Sequence, residues 1–262
     1  MAPKSETTYP SPDRLWAEQL AMGLGLLMFL LVFLALFHSK LLTVGGEVFG
    51  PNYLGAYGWA SVIGIVAQVI VHELGTIIVA WRLKLPVHFR LFGFGANATA
   101  TLQSQPRRIW TDAVVGIAGP LTGTVFSVIL ALVYQITDNP FFLGMACVGY
   151  FYNLFTLIPI LDLEGGWIAS AIAPQAWLIG LILAVLEMRY TFNLVLLVFV
   201  SFAVPRFVQL LRARLPRTDI ACTTRQRVLI AVAFFAMVLG LAWFGTTTFE
   251  TLPRLILESK GD

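Results

Sequence analysis

An all-α polytopic membrane protein is the fold class this sequence predicts, with about six or seven transmembrane helices and a small cytoplasmic-side β-hairpin. Three observations carry that prediction. Of the 262 residues, 58% are hydrophobic and only 12% are charged, where a soluble domain carries roughly 25% charged residues. Mean hydropathy is +0.82. The apolar residues also come in runs of about 20, the length that crosses the hydrocarbon core of a bilayer. These runs cover most of the chain, so its solvent is lipid and it reads as one membrane domain over 19–246. A polar N-terminal segment, 1–18, precedes it, and a polar C-terminal tail, 247–262, follows.

The elements follow in order. Residues 1–18 carry Pro3, Pro10 and Pro12 and read as poorly ordered. The first span, about 19–38, is too long for the apolar region of a signal peptide and has no small-residue cleavage site after it, so it reads as a retained helix. The second span is about 59–81. In the polar stretch that follows, Val87, Phe89 and Leu91 alternate with His88, Arg90 and Phe92, a period of two that predicts a strand. Gly93 and Gly95 offer a turn, and residues 97–102 return as a second strand. Such an edge captures extended peptides by main-chain hydrogen bonds. The third span, about 112–135, ends at a turn, Thr137-Asp138-Asn139-Pro140. The fourth covers about 141–161, and a short helix is expected near 166–172. Two short spans, about 175–188 and 190–205, flank Glu187, Arg189 and Tyr190. A basic stretch from Arg206 to Arg227 leads into the last span, about 228–246.

Charge sets the orientation. With the N-terminus in the cytoplasm, every Lys and Arg except Lys40, Arg189, Arg254 and Lys260 falls on an inner segment. This matches the positive-inside rule, and removing one span would move the late basic cluster to the wrong side. The net charge of +3 is therefore read as orientation, with no nucleic-acid partner. Cys147 and Cys222 fall on different segments and do not suggest a disulfide framework. With no organelle signal, the expected location is a bacterial plasma membrane.

Three segments carry the chemistry. In the second span, Gln68, His72 and Thr76 stand at i, i+4 and i+8, on one helical face, with Glu73 beside it. A charge at that depth costs about 2.5–3.5 kcal/mol, so the stripe must face protein or water. A hydrogen-bonded packing seam between helices fits the stripe as well as a site does. The spacing resembles His-Glu-x-x-His, in which two histidines hold zinc and the glutamate is a general base; here Thr76 replaces the second histidine. The second segment is Ala118-Gly119-Pro120-Leu121-Thr122-Gly123, whose small residues let helices approach closely. The third runs from Asn153 to Gly166, where an apolar helix breaks near Pro159 and delivers Asp162, Glu164 and a glycine pair. Irregular backbone at membrane depth is tolerated within protein or around a wet cavity. The carboxylates would equally favour the N-terminus of a following helix.

In this order, the three segments resemble the site-2 protease family of intramembrane zinc metalloproteases. That family carries His-Glu-Leu-Gly-His in one span, a Gly-Pro motif in the next, and a segment like Asn-Leu-Phe-Asn-Leu-Ile-Pro-x-x-Pro-Leu-Asp-Gly-Gly in the third. The likeness covers about residues 59–172, and the stretch from Leu85 to Gly95 is similar to the family's membrane-surface strand. It implies that His72 is the first zinc ligand and Glu73 the general base. Glu164 stands where the family has its aspartate ligand, with Asp162 as an alternative. Thr156 occupies a position where asparagine is common, Asn153 matches an earlier polar position, and Gly119 and Pro120 match the Gly-Pro motif. Catalytic zinc takes three protein ligands and an open position, and Thr76 removes one of them. His38 and His88 are the only other histidines, and both read as interfacial.

Two functions follow as expectations. One is zinc-dependent hydrolysis of a peptide bond in a transmembrane protein substrate, with the substrate helix unwound against the surface strand. The other is a catalytically inactive pseudoprotease that keeps the cavity and binds membrane helices among the lipids. A transporter or channel ranks below both, because it predicts broken helices in repeated halves and no repeat is visible.

Overall fold

The computed structural model describes residues 51–85, 109–159, 163–173 and 222–259, with scattered helical positions within 17–28 and 176–185. Five helices have defined bounds: α1 (Pro51–Arg82), α2 (Ile109–Thr137), α3 (Pro140–Thr156), α4 (Glu164–Ile172) and α5 (Thr224–Ser259). Among the described residues there is no strand. The expected hairpin at 86–103, the expected spans at 190–205 and most of 19–38, and Asp162, His38 and His88 lie outside those residues.

Three helices are long and apolar enough to cross a membrane, over Val62–Arg82, Ile109–Thr137 and Thr224–Leu252. The chain is therefore a multi-pass membrane protein. The surface of α1 states its solvent. Val62, Ile63, Val66, Ile70, Leu74 and Ile78 are exposed, whereas Gly64, Gln68, His72, Gly75, Thr76 and Ala80 are buried. Spacings of three and four put each set on its own face, and the polar residues are on the inside.

The fourth expected span is a shorter helix with a different role. α3 has 17 residues, about 26 Å at 1.5 Å per residue, and an unbroken run from Leu143 to Phe151 is buried. It is the central post: α1, α2 and α5 all pack against it. Ile230, Phe234, Phe235, Val238 and Leu241 of α5 join Met145, Ala146 and Tyr150 of α3 in the main apolar cluster. α4 packs on α2 and α5.

Local chemistry sets the boundaries. α1 ends in a Schellman turn: Leu85 N–H donates to Ala80 O at 2.9 Å and Lys84 N–H to Trp81 O at 2.9 Å, with Lys84 at φ 57°. The expected turn at 137–140 is present. Asn139 Oδ1 accepts from Phe141 N–H at 3.0 Å and Pro140 takes the first helical position, where its missing N–H costs nothing. α3 stops five residues earlier than the apolar run suggests. Its last turn tightens through Leu157 N–H to Leu154 O and Ile158 N–H to Phe155 O, and Pro159 follows. α5 opens on a reciprocal capping box: Gln226 N–H donates to Thr223 Oγ1 at 3.3 Å and Thr223 N–H to Gln226 Oε1 at 3.0 Å. It continues to Ser259, so most of the expected polar tail is helix.

Candidate metal centre

The break after α3 returns the chain to the polar face of α1. α4 begins at Glu164, whose carboxylate lies in that helix's first turn, a favourable place for negative charge. From there Glu164 Oε1 comes within 3.4 Å of His72 Nε2, linking residues 92 apart in sequence. Glu164 thus both opens α4 and faces His72. The His72 side chain is 1% exposed and that of Glu164 12%.

Glycines make this approach possible. A Cβ on Gly119 would lie 2.5 Å from His72 Nε2 and 2.6 Å from Thr76 Oγ1, so α2 passes its backbone directly over the pair. A Cβ on Gly165 would overlap the carbonyl groups of Leu157 and Ile158, which explains why a small residue must follow Glu164. Pro120 lies inside α2, and the helix continues through it.

The other ring nitrogen of His72 has its own partner. His72 Nδ1 lies 3.0 Å from Asn153 Oδ1 of α3. Asn153 Nδ2 donates to Gly149 O at 2.7 Å and to Gln68 Oε1 at 3.2 Å. Gln68 Nε2 donates to Ser127 Oγ at 2.6 Å, and Ser127 donates to Gly123 O at 2.9 Å. Tyr152 meets the His72 ring edge-on, with centroids 5.4 Å apart. Thr156 Oγ1 turns back to Asn153 O at 3.0 Å and does not reach His72. Glu73 is half-buried beside His72 and bears electrostatically on both His72 and Tyr152.

Thr76 points elsewhere. Its hydroxyl donates to His72 O at 3.3 Å, within its own helix. Gln68 bonds to Asn153 and Ser127 as a hydrogen-bonded packing seam would have it, and His72 Nε2 faces the Glu164 carboxylate across the helices.

The donor pair fits a metal ion. A nitrogen and an oxygen each about 2.0–2.1 Å from one tetrahedral zinc stand about 3.3–3.4 Å apart, which is the spacing of His72 Nε2 and Glu164 Oε1. Gly119 leaves the flank beside Nε2 free of side chain. A catalytic zinc site takes three protein donors, and among the described residues no group of three His, Cys, Asp or Glu side chains converges. The sequence alone does not single out Ser127 and Gly149, and it marks Gly123 only as a small residue of the Ala118–Gly123 segment. The spacing of four between Gly123 and Ser127 is the one further local signal, and it is a weak one.

No family model, no curated protein and no solved structure matches this chain.

Proposed function

We propose that the chain is a site-2-protease-type intramembrane metallopeptidase that hydrolyses a peptide bond within a transmembrane segment of another protein. The observation that carries the reading is the 3.4 Å approach of His72 Nε2 to Glu164 Oε1 inside a bundle of apolar helices. Two ionisable groups buried together at that depth are costly, and a bound cation would offset the cost for both. Order and spacing of the three segments around them support the family likeness.

His72 and Glu164 would hold the zinc, with Asp162 as the alternative carboxylate. When bound, the ion supplies a Lewis acid and lowers the pKa of its water towards neutrality. Glu73 takes the proton as the water oxygen attacks the substrate carbonyl carbon, then passes it to the amide nitrogen as the C–N bond breaks. Substrate helices must unwind first, because their peptide groups are shielded by internal hydrogen bonds. Asn153 orients His72, and Gly119 keeps side chains away from its Nε2.

A second reading, a pseudoprotease that binds membrane helices without cleaving them, is favoured by one observation: Thr76 stands at the third ligand position with its hydroxyl turned to backbone. Elemental analysis of detergent-purified protein separates the two. The peptidase requires about one zinc per chain, lost in His72→Ala. Zinc-replete protein without metal would leave the binding-only reading, which cross-linking to a transmembrane peptide then tests.

A further inference from the structure

The hydrogen bonds behind His72 have a direction. A backbone carbonyl can only accept, so Gly149 O fixes the Asn153 amide with Nδ2 towards it and Oδ1 away. The same amide nitrogen needs an acceptor in Gln68, which places Gln68 Oε1 towards Asn153 and Gln68 Nε2 towards Ser127. Ser127 can accept there because its own hydrogen goes to Gly123 O. Asn153, Gln68 and Ser127 each donate to an acceptor in the series, and the series starts from two main-chain carbonyls. Its far end is Asn153 Oδ1, an acceptor held against His72 Nδ1. Nδ1 must therefore carry a hydrogen, and Nε2 faces Glu164 Oε1, to which it donates when it too is protonated and beside which it presents its lone pair when it is not.

The fit around this series is close. A Cβ on Gly149 would overlap the Gln68 amide and the Ser127 hydroxyl, and one on Gly123 would overlap the Asn153 amide. Gln68, Ser127 and Asn153 are each 0% exposed, so no water competes for their bonds. The geometry points to Gln68 as a positioning residue that acts through Asn153 to hold His72 in its Nδ1–H form, with Nε2 aimed at Glu164. The arrangement stands by itself as a hydrogen-bond network; only its consequence for metal binding rests on the metallopeptidase reading. A ligating histidine generally has its second nitrogen fixed by such a partner, and losing the partner typically costs 10–100-fold in metal affinity.

The test reads the tautomer directly. The chain has three histidines, so ¹⁵N-histidine labelling in detergent micelles gives few ring signals, and subtracting the His72→Ala spectrum assigns His72. Metal-free wild type is expected to show a protonated Nδ1. Asn153→Leu removes the acceptor and shifts the neutral ring to Nε2–H, whereas Asn153→Asp keeps an acceptor and keeps Nδ1–H. Gln68→Met loosens the Asn153 amide and gives a mixture, with zinc affinity about tenfold weaker. A bare Nδ1 in wild type overturns the inference without any variant, as does an unchanged ring in both Asn153→Leu and Gln68→Met. Should Asn153→Leu fail to fold, Gln68→Met and the wild-type spectrum decide. Absence of zinc from all proteins, with the tautomers as expected, would sink the metallopeptidase reading and leave this one standing.

Discussion

The Thr76 hydroxyl reaches back one helical turn and donates to the carbonyl oxygen of His72 at 3.3 Å, so the position that would supply a third metal donor is occupied by a bond within α1. Threonine at this point lies beside Gly119, which contributes no side chain. Thr76 is buried and a Cβ on Gly119 would stand 2.6 Å from its hydroxyl, so a longer residue must push α2 aside to fit. Thr76→His places a second imidazole on the His72 face. Metal affinity should rise about a hundredfold, the crude share of one ligand in a structural zinc site. Competition of the purified variant against a chelator measures the change; equal affinity in variant and wild type would place the metal elsewhere.

Gly119→Ala probes the same space from the opposite helix. Its methyl group would stand 2.5 Å from His72 Nε2, far inside contact distance. Relief requires α1 and α2 to separate or His72 to rotate away from Glu164. Forcing a methyl into packed surroundings costs about 1–3 kcal/mol. The variant is expected to melt earlier in detergent and to lose bound zinc, and a fully zinc-loaded Gly119→Ala would show that the helices do not meet there.

Glu73 is half-buried next to His72 on α1 and is not needed to complete the His72–Glu164 pair. Glu73→Gln keeps its shape and removes the proton acceptor. Zinc content should stay as in wild type while cleavage of a transmembrane peptide falls about 10²- to 10⁴-fold, the usual contribution of a general base. Joint loss of zinc and cleavage would make Glu73 a ligand.

The membrane class and the inward polar stripe were legible because both depend on local pattern. Apolar run length gives a span, and a spacing of four gives a face. The meeting of His72 with Glu164 was legible only through the family likeness, since no local rule joins residues 92 apart. The end of α3 was misplaced because Leu157 and Ile158 continue the apolar run, yet Pro159 disfavours helical backbone at Ile158 and the helix ends at Thr156. Continuation of α5 past residue 246 escaped notice for the opposite reason. Thr247 and Thr251 read as polar tail, but each turns its hydroxyl to a carbonyl of the preceding turn, so polar residues persist in the helix. Gln68 was seen on the stripe, while its link to Ser127 needed coordinates.

Cys147 and Cys222 are both buried, and neither is held in a disulfide among the described residues. Burial pushes the Cys222 thiol up from its ordinary value; Asp112 adds to the effect, and Arg227 opposes it. Folded protein thus keeps the thiol protonated at pH values where an unfolded cysteine, with pKa near 8.5, has begun to ionise. The thiol's contribution to stability is full below that unfolded value and declines as pH rises above it. Since the thiolate is the reactive form, maleimide labelling at pH 7.5 should be slow in detergent and reach two labels per chain only after denaturation. Rapid labelling of native protein at Cys222 would contradict its burial.

Arg227 holds the far end of the helix that presents Glu164. Its guanidinium is buried and donates through Nη1 to Ala171 O at 2.8 Å and to Ile172 O at 2.7 Å, the last carbonyls of α4. A cation at a helix C-terminus is favourable, and these acceptors would otherwise be orphaned in apolar surroundings. Arg227 Nε, in contrast, has no hydrogen-bond partner among the described residues, so part of the benefit is offset by its desolvation there. Arg227→Ala should cost about 3 kcal/mol, at the upper end for a hydrogen bond to a charged group. Because α4 has only nine residues, releasing its C-terminus also frees Glu164 at its start. The expected result is a lower melting temperature in detergent together with weaker zinc binding. Arg227→Lys should recover part of both, since an ammonium can still reach a carbonyl but without the planar fork. A melting temperature unchanged in Arg227→Ala would mean that α4 is held by its packing against α2 and α5 without this bond.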